Sequence, residues 1–246
     1  MSDERLEQAA LNNAMWCDTV CRAHGRPGEF LEGMWINGRE TPRFYPNGVT
    51  LSGGRGSTVQ LQHIHDLLEA GIPGELGIKD SFFALDLGPL GFRILFEAEW
   101  IWRAASAPGP DGRVPGVAWV KVTGASELAD WERAWDGELV DEPDSPRARI
   151  FLPSLLADDD IAVIAAYQDH RIVAGAMANR TGNVVGLTNM FVPAHDEDDF
   201  RAGCVAGVID AFPGLPIVTY EPRRQLAQGP TLSFDVLGPL RVWVRQ

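Results

Sequence analysis

The sequence predicts a mixed α/β fold, and two kinds of pattern support this prediction. Apolar residues spaced three and four apart, as on a helix face, alternate along the chain with short runs of branched and aromatic residues that are typical of strands. In the second half, three such runs follow closely on one another, at 161–168, 171–179 and 184–192. The turns between them have two and four residues, a length typical of antiparallel hairpins.

The first half is expected to contain two longer helices. The helices are predicted over 3–22 and 58–70, where apolar residues recur on one face and Gly and Pro follow the last turn. Three shorter elements complete this half: a strand at 49–51, a short helix at 80–87 and a strand at 92–102. The last strand is rich in aromatic and branched residues, which favour extended structure.

The rest of the second half is predicted to alternate strands and helices: strands at 119–123 and 216–221, helices at 127–135 and 200–212, and a short helix at 223–228. Ser126 is the expected N-cap of the first of these helices. The chain is expected to end in two strands, 233–237 and 240–245, joined by a turn at Gly238-Pro239.

The length of 246 residues fits one large domain or two small ones. The segment 106–116, SAPGPDGRVPG, holds three Pro and three Gly and is the clearest candidate linker. We therefore divide the chain into domains 1–110 and 111–246. Residues 90–102 and 232–244 each place Phe before a strand-like run that contains Trp, which hints at an internal duplication.

The charge balance restricts the partners. Asp and Glu total 34 against 21 Lys and Arg, a net charge of −13, and no basic stretch occurs. Nucleic acid and anionic membrane surfaces are therefore not expected partners. No apolar run approaches the ~18 residues of a membrane span, and the first ten residues carry three acids where a signal peptide would carry cations. We expect a cytoplasmic protein.

The cysteines are too few for a disulfide framework, since only Cys17, Cys21 and Cys204 occur. Cys17, Cys21 and His24 are spaced along one helix and could in principle bind zinc, but a fourth ligand is not apparent. Small core residues are the favoured interpretation of the two helical cysteines, and Cys204 is also expected to pack in a helix interior. No metal site is predicted.

Three phrases carry a resemblance to a known family: VVGLTNMFV (184–192), FPGLPIVTYE (212–221) and FDVLGPLRVWVR (234–245). With the order of elements around them, residues 115–246 resemble the GNAT superfamily of acyl-CoA-dependent N-acyltransferases. The first half resembles the family only as a degraded, partial copy. The resemblance implies a twisted, mostly antiparallel sheet flanked by helices, in a tandem arrangement if the first half is such a copy.

The resemblance also implies an activity, the transfer of an acetyl group from acetyl-CoA to the amine of a small molecule or a protein. The pantetheine arm would lie on the backbone of a splayed strand at Asn189, Met190, Phe191 and Val192; Asn189 could instead serve the broken strand ladder. The pyrophosphate would lie at the following helix, near Arg201, Gly203 and Ala206. Homodimerisation is left open.

Tyr220 and Glu221 are the catalytic candidates, as proton donor to the departing thiolate and as base for the amine. Side chains alternate along a strand, so at most one of the two would point into the cleft. Four acids, Asp196–Asp199, stand where the phosphates should bind, and they could instead cap the helix. This departure favours the alternative hypothesis of a catalytically silent GNAT-fold protein that binds a ligand or assembles with a partner.

Overall fold

The computed structural model describes residues 2–137, 148–222 and 232–246. These residues form two compact units. Unit 1 comprises 2–102, 219–222 and 235–246, and unit 2 comprises 103–137, 148–218 and 232–234. Each unit is built from several separate segments of the chain, whereas the sequence predicted a single boundary after residue 110.

Four helices and eleven strands lie within the described residues. The helices are α1 (Ser2–Ala23), α2 (Ser57–Glu69), α3 (Ala125–Asp136) and α4 (Glu197–Ala211). The strands are β1 (Glu29–Leu31), β2 (Met34–Ile36), β3 (Gly48–Thr50), β4 (Leu76–Asp80), β5 (Arg93–Arg103), β6 (Ala118–Lys121), β7 (Ile161–Gln168), β8 (Arg171–Thr181), β9 (Val184–Phe191), β10 (Ile217–Glu221) and β11 (Phe234–Arg245). None of the helices in this part of the chain is long and apolar enough to cross a bilayer.

In unit 1 the strand order is β1-β2-β3-β4-β11-β5. The pairs β1–β2, β2–β3 and β4–β11 are antiparallel, and β3–β4 is parallel. α1 packs on this sheet through Ala14, Cys17 and Cys21, which meet Trp35 and Val49. A second core lies beneath α2, where Ile64 and Leu67 of the predicted apolar face are buried with side chains of β4 and β11, and Leu61 and Leu68 are partly buried.

In unit 2 the order is β10-β9-β8-β7-β6, where β10 contributes only residues 217–218, and the strands from β6 to β9 are antiparallel. The β7–β8 turn consists of Asp169 and His170, both left-handed at φ 49° and 62°, as a two-residue hairpin requires. The predicted hairpins are therefore confirmed. β10 joins the other edge in parallel, pairing Ile217 with Val185 and Val218 with Gly186.

Two local predictions were wrong, the short helix at 80–87 and the turn at Gly238-Pro239. No helix forms over 80–87, because Asp80 ends β4 and its carboxylate accepts the backbone N–H groups of Phe82 (3.3 Å) and Leu85 (2.8 Å), which ties the segment into a loop. Nor does Gly238-Pro239 make a turn, since β11 runs through both residues. The fixed φ of proline suits extended backbone, so only its missing N–H distinguishes it in a strand.

The N-terminus of α3 differs from the prediction in a smaller way. Its N-cap is Gly124, not Ser126. The Glu127 carboxylate folds back and accepts the N–H groups of Gly124 (3.0 Å) and Thr123 (3.3 Å), so an acid in the first turn performs the capping. The helix predicted over 223–228 lies outside the described residues.

Candidate active site

The C-terminal end of β9 contains a bulge. Thr188 pairs with Met177 and Phe191 with Gly175, so that Asn189 and Met190 together oppose the single residue Ala176. Asn189 adopts the left-handed conformation, φ 50°, which asparagine tolerates better than most residues. A bulge leaves the extra residue outside the ladder and exposes its backbone groups. The bulge lies on the β8 side of β9, whereas the splayed strand implied by the family resemblance concerns its other neighbour, β10, and stays a prediction.

The side chains of the bulged segment are mostly engaged within unit 2. Met190 and Val192 pack against the core that α4 closes. The ring of Phe191 meets that of Trp131 edge-on, with centroids 5.3 Å apart. Thr188 Oγ1 and the Asn189 Oδ1 lie 3.0 Å apart in a hydrogen bond. What this segment can offer a ligand is therefore mainly its backbone, as expected for residues 189–192.

The acidic run begins α4. Asp196 is its N-cap, at φ 54°, and Glu197, Asp198 and Asp199 form the first turn. The Asp196 carbonyl accepts the N–H groups of Asp199 and Phe200, both at 3.1 Å. Acidic side chains are stabilising at this position because they face the positive end of the helix dipole. An anionic ligand at the same place meets their negative charge.

Gly203 lies inside α4, and close packing explains why it is a glycine. A Cβ on Gly203 would come within 1.9 Å of the Trp119 ring, and a Cβ on Gly112 within 2.4 Å of the Gly203 Cα. Trp119 and the segment 109–113 thus lie directly on the helix, beside a groove of about 510 Å³ lined also by Ala206.

Arg201 and Ala206 also lie within α4, after its first turn. The side chain of Arg201 is 16% exposed and approaches Glu197 at 4.0 Å. Backbone N–H groups this far into a helix donate to carbonyls four residues earlier and do not point at a ligand. In α4 the N–H groups of the acidic first turn are the ones that have no helix carbonyl four residues earlier.

Tyr220 sits in an aromatic and polar setting within unit 1. Its ring stacks on Phe96, with centroids 6.3 Å apart, and meets Trp100 edge-on at 5.3 Å. Its hydroxyl accepts a hydrogen bond of 3.2 Å from Lys79 Nζ, which also donates to Asn13 Oδ1 at 2.9 Å. Glu221, the other catalytic candidate, is buried and points to the opposite face of β10.

Sequence reasoning missed Lys79 and Asn13. The available signal was a lone lysine in the run Leu-Gly-Ile-Lys-Asp (76–80), which forms a buried strand. A charged residue in such a strand needs a polar partner, but nothing in the sequence says that the partner comes from residue 220, 141 positions away.

The cysteines pack as small apolar residues. Burial raises the pKa of Cys17 to about 11 and the pKa values of Cys21 and Cys204 to about 12, so that all three are neutral thiols at physiological pH. Among the described residues, no three His, Cys, Asp or Glu side chains gather into a metal-binding group.

Comparisons by sequence find no match for this chain, either among models of protein families or among curated proteins. Comparisons by structure do find matches. A GCN5-related N-acetyltransferase from Kribbella flavida aligns over 96% of this chain and 95% of its own, with a TM-score of 0.60 and 14% identity.

Two further structures extend the likeness. A GCN5-related N-acetyltransferase from Sphaerobacter thermophilus aligns over 80% of this chain and 71% of its own, with a TM-score of 0.52 and 13% identity. A tandem GNAT protein from the clavulanic acid biosynthesis pathway aligns over 76% and 68%, with a TM-score of 0.50 and 14% identity. At such identities the likeness concerns the fold.

Proposed function

From the GNAT-superfamily fold of this chain, we propose that it transfers an acetyl group from acetyl-CoA to a primary amine. The acceptor is a small molecule or a side chain of another protein. The three cysteines are unpaired and buried, which supports action in a reducing compartment, the cytoplasm.

The observation that carries this proposal is the bulge at Asn189. It interrupts the β8–β9 ladder near the end of β9, the strand that pairs in parallel with β10. The pantetheine arm of coenzyme A is a chain of amides, and the backbone N–H and C=O groups of 189–192 can bind it by the hydrogen bonds of an added strand. Bulges are over-represented beside active sites because they redirect the backbone there.

The chemistry requires one bond to form and one to break. The amine nitrogen attacks the thioester carbonyl carbon, the C–S bond breaks, and the thiolate takes up a proton. We assign the donation of that proton to the Tyr220 hydroxyl. Glu221 points away from Tyr220 along β10, so we do not assign both residues to one cleft.

The phosphate end of coenzyme A fits less well than the pantetheine arm. A phosphate oxygen 4 Å from one carboxylate meets a repulsion of about 1 kcal/mol in water and about 4 kcal/mol near a protein surface. Asp196–Asp199 supply four such carboxylates at the helix start. This observation favours the second candidate function, a GNAT-fold protein that binds a different ligand or a partner and catalyses no transfer.

The experiment compares two valine variants by binding and by turnover. Asn189→Val and His170→Val each place a β-branched residue at a left-handed position of the same antiparallel meander, φ 50° and 62°. Each should lose about 1–2 kcal/mol of stability. Only Asn189→Val should weaken acetyl-CoA binding, by about tenfold or more, and slow thiol release in the presence of primary amines.

His170→Val is the matched control because His170 lies in the exposed β7–β8 turn. If both variants kept wild-type acetyl-CoA affinity, the bulge would have no part in binding. If the wild-type protein released no thiol and acetylated no amine, the transfer proposal would fail and the second candidate would stand.

A further inference from the structure

Unit 1 brings together three residues that are far apart in the sequence. Asn13 lies on α1, Lys79 on β4 and Tyr220 on β10. Lys79 Nζ is 2.9 Å from the Asn13 Oδ1, 3.2 Å from the Tyr220 hydroxyl oxygen and 4.3 Å from the centroid of the Tyr220 ring. The ammonium therefore contacts both the oxygen and the ring of the same tyrosine.

Lys79 is nearly inaccessible, with 5% of its surface exposed. A buried ammonium loses its hydration, and it is tolerated where hydrogen-bond acceptors replace water. The Asn13 amide oxygen and the Tyr220 hydroxyl are two such acceptors, and the π face of the ring adds a favourable contact with a cation. Placing a lysine here is costly compared with an apolar residue, which points to a role beyond packing.

The contact determines where the Tyr220 proton can go. A protonated lysine has three N–H donors and no acceptor, so the phenol oxygen must accept in this pair. The phenol O–H then points away from Lys79 and remains available to another acceptor. Phe96 and Trp100 hold the ring on two sides, so its orientation is restricted as well.

We propose that Lys79 is a positioning residue that presents Tyr220 as the proton donor to the departing thiolate; this inference rests on the proposed acetyl transfer. In the step, the Tyr220 O–H proton passes to the thiolate sulfur as the C–S bond breaks, which leaves a phenolate. The Lys79 ammonium faces the charge on that oxygen. The phenolate then regains a proton from water, and the proton displaced from the amine passes to solvent.

The test is a double-mutant cycle on kcat, measured as thiol release from acetyl-CoA with three probe amines: butylamine, spermidine and Nα-acetyl-lysine. Tyr220→Phe should lower kcat by about a hundredfold, as expected for loss of a general acid. Lys79→Met should lower kcat by about tenfold with little change in KM for acetyl-CoA. In the Tyr220→Phe background, Lys79→Met should change kcat by less than about twofold, because its effect acts through the missing hydroxyl.

A merely structural role for Lys79 gives a different result. In that case Lys79→Met would lower kcat by the same factor in the wild-type and Tyr220→Phe backgrounds, or it would change KM instead of kcat. Either result would overturn the inference about Lys79 without contradicting the proposed acetyl transfer. Lys121→Met, at an exposed position of unit 2, is the charge control and should leave kcat unchanged. If the wild-type chain acetylates none of the probe amines, the proposed function fails and this inference fails with it.

Should Lys79→Met not fold, the same cycle is run with Asn13→Ala. That variant keeps the ammonium but removes its shorter hydrogen bond, 2.9 Å to Asn13. A several-fold loss of kcat that disappears in the Tyr220→Phe background supports the inference. An equal loss in both backgrounds contradicts it.

Discussion

At the scale of single residues, Gly203 shows that a glycine can have two physical reasons, contact with a ligand and close packing. In the sequence it suggests a phosphate-binding loop, because glycine lets backbone approach an anion closely. In the structure it lies inside α4, and its missing side chain makes room for Trp119. Sequence spacing alone could not separate these cases, since Trp119 is 84 positions away and close packing leaves no local signal. The bulge at Asn189 was not predicted from the sequence, because its surroundings keep the strand pattern.

Gly203→Ala tests this interpretation through stability. Alanine is favoured over glycine in a helix by about 1 kcal/mol, but here its Cβ would overlap the Trp119 ring, so we expect a net loss of about 1–3 kcal/mol in chemical denaturation. In a Trp119→Leu background the same change should be neutral or stabilising. A stabilised Gly203→Ala protein that no longer binds acetyl-CoA would mean that the glycine serves the ligand.

The buried thiols predict how stability depends on pH. An unfolded cysteine ionises near its ordinary pKa, about 9, whereas burial raises the pKa of Cys204 to about 12 in the folded state. Between these values the unfolded chain binds fewer protons, so stability falls as the pH rises, by about 1.4 kcal/mol per pH unit for each thiol. Cys204→Ala should therefore show a shallower decline than wild type between pH ~9 and ~11. Equal slopes in urea titrations would show that Cys204 ionises alike in both states.

At the scale of elements, local patterns predicted the helices and hairpins well and failed where one side chain or one neighbour decided the outcome. The β7–β8 turn follows from Asp169 and His170 alone, because a two-residue turn sets its own geometry. The loop after β4 depends on the Asp80 carboxylate, which captures backbone N–H groups that a helix would otherwise use. β11 runs through Gly238-Pro239, and its second half, Arg241–Arg245, pairs with β4.

The first turn of α4 gives a prediction at this scale. Replacing its acids by amides (Glu197→Gln, Asp198→Asn, Asp199→Asn) should destabilise the protein by about 1–2 kcal/mol, because three favourable dipole contacts are lost. It should also tighten acetyl-CoA binding by about tenfold, because repulsion of the phosphates falls. Calorimetry and thermal melting check both effects.

The matched control removes the same charge elsewhere. Glu7→Gln, Glu32→Gln and Glu69→Gln lie at exposed positions of unit 1 and change the net charge equally. They should leave acetyl-CoA affinity within about twofold of wild type. If they tightened binding as much as the α4 variant, the overall charge would be the cause and α4 would have no special part.

At the scale of the whole molecule, the fold class followed from the order of elements, whereas the grouping into units did not. Residues 219–222 and 235–246 belong with the first hundred residues, a long-range arrangement that no local pattern encodes. The net charge of −13 also belongs to this scale, but exposed charges more than a Debye length from a ligand, about 8 Å at physiological ionic strength, are largely screened. We therefore expect the acids of α4, rather than the net charge, to limit acetyl-CoA affinity.

Titration calorimetry of acetyl-CoA into the wild-type protein at physiological ionic strength tests the central claim most directly. We predict one site per chain with a Kd on the order of 100 µM, tight enough for turnover and weakened by the acids of α4. A Kd weaker than about 1 mM, or heat indistinguishable from dilution, would contradict the claim that this chain is an acetyl-CoA-dependent transferase.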